Sequence, residues 1–240
     1  MKVKDILERV TTLYNDSDYV RITKQEYLKF LDDAINQLIL SRPDANVKTS
    51  VVKLKPGTRQ EIPQDGYSLI QIYANVNTPD GVTILGYGNP IFQVERKDLD
   101  YFNNWHVPVG GTTEVTEFAY DTRSPRTFWV NPPVTATPNI YVEMDYSHGV
   151  VEYAKMPDSF EVVLEMDIPI SDIFKGPLIS YMLYLLYSTD STSQIDRQVA
   201  QRYEASFYQA LGLEYKSMLY VIPRIEAVPP TAAPAPTGAV

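Results

Sequence analysis

The sequence predicts an α+β protein: a helical bundle formed by N- and C-terminal helices, with an inserted antiparallel β-sandwich or barrel-like lobe and an extended C-terminal arm. Three observations carry this reading. Apolar residues recur at helical spacing towards both ends of the chain, the period drops to two between them, and the final stretch has Pro and Ala in place of large apolar side chains. The expected division is 1–48 for an N-terminal helical hairpin, 49–150 for the β lobe, 151–222 for a connecting segment and the C-terminal helices, and 223–240 for the arm.

Val3, Ile6, Leu7, Val10 and Leu13 define the apolar face of a first helix. A second begins at Thr23 and Glu26, a capping box in which hydroxyl and carboxylate satisfy free backbone N–H groups, with Ile22 and Tyr27 placed to form a hydrophobic staple. It runs through Leu28, Leu31, Ile35, Leu38 and Ile39 and stops at Pro43. From residue 51 the alternation of Val52 and Leu54, the Pro56-Gly57 pair and the return to Ile62 read as a hairpin with a tight turn. Further strands are expected at 68–76, 91–94, 115–120, 127–130 and 140–146, with turns at Pro79-Asp80-Gly81, Gly110-Gly111, Ser124-Pro125 and Pro132-Pro133.

Helical pattern resumes near Ser171. Pro177 is tolerable in a first turn, and Leu178, Ile179, Met182, Leu183, Leu185 and Leu186 cover more than one face, so this helix needs burial on several sides. Ile195, Val199, Tyr203, Phe207 and Leu211 then step by four along a last helix. Leu31, Ile35, Leu183 and Leu186 are expected in one shared core, because such short helices are unstable alone. Tyr181, Tyr184 and Tyr187 fit either packing or a subunit-facing surface.

Composition narrows the function. The 240 residues include no Cys, so disulfides, thiolate zinc sites and thiol nucleophiles are excluded. A net charge of −9 opposes tight binding to phosphate backbones. The N-terminus lacks the pattern of a signal peptide and the longest apolar stretch is about half a membrane span, so the chain reads as soluble and untargeted, with no membrane partner. Its two histidines, His106 and His148, lie at no metal spacing, and no Walker, Rossmann or nucleophile-elbow motif occurs. Asp98 and Asp100 near Trp105 suggest a sugar-cleaving carboxylate pair, or alternatively a solvated turn anchored by Leu99, Phe102 and Trp105. No catalytic residue, metal or cofactor is expected.

Two charge islands stand out. Lys53, Lys55 and Arg59 are opposed by Glu61 alone, and in 152–172 the carboxylates Glu152, Asp158, Glu161, Glu165, Asp167 and Asp172 face Lys155 alone. The second island is either a solubilising loop or, if it lines a DNA channel, a surface that repels phosphate.

A run of short motifs comprises Arg42-Pro43-Asp44-Ala45-Asn46, Gly57-Thr58-Arg59-Gln60, Ile62-Pro63, Asp65-Gly66-Tyr67, Arg96, Asp98-Leu99-Asp100, Trp105-His106, Tyr120-Asp121, Ser124-Pro125, Phe128 and Pro132-Pro133. In this order they resemble the bacteriophage head-to-tail adaptor (neck or connector) proteins that bind beneath the portal. The resemblance implies a non-enzymatic virion protein, assembled in the host cytoplasm as a homo-oligomeric ring, commonly of about twelve copies. The implied partners are the portal, the next tail or nozzle protein, and genomic DNA that passes without specific binding. In such a ring the basic island, Lys53, Lys55 and Arg59, would meet Glu161, Glu165 and Asp167 of the next subunit. The arm would dock on a neighbouring subunit or partner through anchors such as Val228 and Val240. The chain departs from the family pattern in a longer connection at 76–91 and in the Pro/Ala-rich tail. The competing function is a receptor- or carbohydrate-binding β module of a tail appendage.

Overall fold

The computed structural model describes residues 1–79, 87–101, 104–107, 112–189 and 194–212. The expected turns at Pro79-Asp80-Gly81 and Gly110-Gly111, Phe102, the arm, Val228 and Val240 fall wholly or partly outside these residues. The protein is α+β, with helices in its N- and C-terminal regions and two sheets between.

Helix α1 spans Val3–Tyr14 and α2 spans Lys24–Ser41, and two short helices follow, α3 (Arg96–Tyr101) and α4 (Phe160–Leu164). The capping box forms as expected: Thr23 Oγ1 accepts the Glu26 N–H at 3.3 Å, and Glu26 Oε2 accepts the Thr23 N–H at 3.0 Å. Helix α5 (Lys175–Thr189) packs against α1, α2 and α6 (Gln194–Ala210), which is why its sequence is apolar on more than one face. Leu31, Ile35, Leu183 and Leu186 all lie within this one core. The tyrosines of α5 are engaged inside the subunit. Tyr187 meets Tyr14 edge-on at 5.1 Å and stacks on Tyr203 at 5.8 Å, and Tyr181 lies 4.8 Å from Phe207. Burial pushes the Tyr181 hydroxyl up to about 12.

The β region comprises β1 (Val47–Lys53), β2 (Gly57–Glu61), β3 (Gly66–Val76), β4 (Tyr87–Pro90), β5 (Phe92–Val94), β6 (Glu117–Tyr120), β7 (Thr127–Val134) and β8 (Tyr141–His148). One sheet has the order β1-β8-β3-β4 and the other β2-β7-β6-β5; all pairings are antiparallel except β5 with β6. Leu69, Ile72, Val142, Met144 and Tyr146 of the first sheet close on Phe118, Phe128, Val130 and Val134 of the second, forming a core separate from that of the helices.

Two expectations are corrected. The segment 51–62 is not a hairpin, because β1 pairs with β8 and β2 with β7, in different sheets. Its middle is a crossing: Leu54 is buried, and its N–H donates to Ile140 O at 2.9 Å. Gly57 does adopt a positive φ of 111°, so the sharp change of direction was read correctly but its partner strand was not. Pro132-Pro133 is likewise no turn, since β7 continues to Val134. Both prolines sit where the β2 register shifts, past the last β6 partner Asn131, so no ladder N–H is missed.

Candidate assembly surfaces

The basic island lies on the crossing between the sheets. Buried Gln60 closes this crossing on itself: its Oε1 accepts the Lys55 N–H at 2.8 Å, and its Nε2 donates to Lys55 O at 2.7 Å and Gly57 O at 3.1 Å. Gln60 is 2% exposed and uses both ends of its amide, which fixes the backbone that carries the cations. Lys55 pairs with Glu61 at 3.5 Å. Lys53 and Arg59 are exposed and have no ion-pair partner among the described residues.

The acidic island is no free loop. Residues 152–172 strap the N-terminal helices: Glu165 pairs with Lys2 at 2.6 Å and Lys4 at 3.9 Å, Glu161 with Lys24 at 3.2 Å, and Asp172 with the N-terminal ammonium at 3.1 Å. Asp167 sits in an isolated antiparallel bridge with Lys2. Beneath these pairs Tyr153, Val163, Ile168 and Ile170 enter the helical core. The Lys2 hydrogen bond and charge hold the Glu165 carboxyl below the usual carboxylate range. The carboxylates remain more than half exposed, at 70% for Glu161 and 56% for Glu165, so both stay open to a further cation.

The short motifs have structural work at the joints. Arg42 holds Asp44 through two hydrogen bonds of 2.8 and 2.7 Å and donates to Leu211 O at 3.4 Å, tying the end of α2 to the end of α6. Asn46 Nδ2 donates to His148 O at 2.9 Å, joining that turn to β8. Arg126 donates to Pro63 O at 3.1 Å, Gln64 O at 3.3 Å and Gly66 O. A Cβ on Gly66 would lie 2.8 Å from both Ile62 and Tyr146 side chains, so this approach of the turn to β8 requires glycine. Asn75, missed in the sequence, is fully buried and bridges the sheets by donating to Val115 O at 2.7 Å and accepting the Val115 N–H at 2.8 Å.

Asp100 has structural partners. Trp105 Nε1 donates to Asp100 at 3.0 Å, and Arg96 holds the same oxygen at 3.4 Å while its guanidinium lies 4.2 Å over Trp129 and 5.4 Å over Trp105. Asp100 therefore orients an Arg–Trp stack. His106 lies edge-on to Trp105, and no group of three or more potential ligands that could hold a metal occurs among the described residues. No described helix is long and apolar enough to cross a membrane.

The chain matches the SU10 adaptor protein family over residues 1–224 and belongs to it. No curated protein matches it significantly. Family membership makes this a phage adaptor and virion component that associates with other head and tail proteins, and implies a non-enzymatic role.

Proposed function

We propose that the chain is the repeating unit of a ring, of about twelve copies, that lies below the portal, joins capsid to tail and lines the DNA channel. Membership of the adaptor family over residues 1–224 is the observation that carries this reading. The net charge of −9 supports a channel wall that DNA slides past without specific binding.

Between neighbours, exposed Lys53 and Arg59, with Lys55, meet the partly exposed Glu161, Glu165 and Asp167 of the next copy. This is a heterologous contact that rotation closes into a ring. The arm, 223–240, reaches an adjacent copy, the portal or the next tail protein, with Val228 and Val240 as anchors. At about 3.1 Å per residue in polyproline geometry, such a segment spans roughly 55 Å.

Imaging the assembled neck, with a mass measurement on the purified protein, tests this reading. The expected result is a closed ring between portal and tail. A trimer that binds glycan would instead establish the receptor-binding alternative.

A further inference from the structure

An open apolar groove lies where the helices meet the β region. It has a volume of about 330 Å³ and is lined by Leu40 and Pro43 at the end of α2 and by Tyr67, Leu69, Tyr120 and Pro125 of the sheets. Leu40 is 71% exposed and Tyr67 44%, although both belong to an otherwise well-packed junction. A concave, aromatic- and proline-lined surface of this kind is suited to apolar side chains from an extended segment.

The chain supplies such a segment at that place. Its last described residues are tied to the end of α2, where Arg42, the neighbour of the lining residue Pro43, donates to Leu211 O at 3.4 Å. After the five residues 213–217 comes the uncharged run Met218-Leu219-Tyr220-Val221-Ile222, which ends at Pro223. The family match continues through this run to Arg224 and stops before most of the Pro/Ala-rich arm. Residues 213–217 can extend about 17 Å, which sets how far from the end of α6 the run can begin.

We infer that the run 218–222 docks in its own subunit's groove and seals the joint between helices and sheets, so that the arm starts from a fixed point. The tether favours this occupant over a second copy. A short tether supplies an effective concentration of about millimolar, far above that of free subunits in dilute solution. The inference concerns the isolated subunit and does not depend on ring assembly.

Because the chain has no cysteine, an introduced pair provides the only thiols. In full-length protein at low concentration, Leu40→Cys combined in turn with Leu219→Cys, Tyr220→Cys or Val221→Cys is expected to oxidise to a disulfide within one chain for at least one pair. Ser17→Cys, near the other end of α2, is expected to give none with the same partners. Absence of a disulfide from all three Leu40 pairs, or disulfides only between chains, overturns the inference. Hydrogen exchange provides the second measurement. Leu219→Asp with Val221→Asp in the full-length chain is expected to remove protection around Leu40, Tyr67 and Leu69, and unchanged protection there also overturns it.

Discussion

Asp32 of α2 accepts the backbone N–H of Tyr153 at 2.9 Å, and its second oxygen accepts that of Ala154 at 2.9 Å. One carboxylate thus satisfies two donors of the turn that starts the acidic strap, and Tyr153 then enters the core with its hydroxyl donating to Asp167 O at 2.8 Å. Burial pushes the Asp32 carboxyl above the ordinary carboxylate value, against the lowering effect of those two N–H groups. An amide in its place would set an NH2 against an N–H donor. Asp32→Asn is therefore expected to cost about 1 to 3 kcal/mol in urea denaturation at neutral pH.

Asp16 gives the opposite pH behaviour. Burial would raise its pKa, but the backbone N–H groups of Arg21, Ile22 and Val20 and the Tyr27 hydroxyl outweigh burial and hold it below the ordinary value. Its stabilising contribution is fully present above the unfolded-state value and is lost as pH falls through the lowered folded one. For Asp32, with a raised folded pKa, the linked contribution is fully present below the unfolded-state value and is lost as pH rises through the folded one. In denaturation series from neutral pH to about pH 3, the penalty of Asp16→Asn should shrink and that of Asp32→Asn should grow. Parallel trends would show that one assignment is wrong.

Leu183 is fully buried beneath α1, α2 and α6, so Leu183→Ala is expected to cost about 2 to 5 kcal/mol. Leu40→Ala, on an exposed position of α2, should cost far less in a chain lacking residues 213–240. Equal costs in equilibrium unfolding would contradict the packing described.

What could be read from the sequence followed interaction range. The Thr23–Glu26 capping box and the Leu-rich α5 depend on neighbours a few residues apart, and both formed as read. Gly57 announced a sharp change of direction, but whether the chain then rejoined β1 or crossed to β7 depends on strands more than seventy positions later. The acidic strap looked unpaired because its cations, Lys2, Lys4 and Lys24, lie at the other end of the chain. The joint-locking roles of Gln60, visible only as a motif residue, and of Asn75 were silent for the same reason: a buried amide is recognisable only once the carbonyls and N–H groups that it satisfies are in place.

Charge reversal at the crossing separates folding from assembly. Lys53→Glu with Arg59→Glu removes no ion pair within the described subunit, so its melting temperature should stay close to that of the parent while ring formation is impaired. The strap variant Glu165→Lys does break internal pairs with Lys2 and Lys4. These are solvent-screened surface pairs, so only a modest loss of stability should accompany any loss of rings. Native mass spectrometry together with thermal melting reads both effects. Normal rings from the double reversal would remove the crossing from the interface.

Two truncations divide the C-terminal segment by role. Removing everything after Ile222 deletes only residues 223–240, whose five Pro and five Ala offer little apolar surface. Subunit stability should be unchanged, while attachment to the neck weakens if the arm is an assembly element. Removing everything after Gly212 also deletes the apolar run 218–222, and it uncovers the Leu40–Tyr67 groove if that run is docked there. Apolar burial contributes about 25 cal/mol per Å², so burying some 100 Å² of the run would make the longer truncation about 2 to 3 kcal/mol less stable than the shorter one. Comparing the two chains by denaturation, and then by attachment to portal-bearing heads, assigns each part. Equal stabilities would place the run outside the subunit's own fold, and full attachment without residues 223–240 would show that the neck is held by the body of the subunit alone.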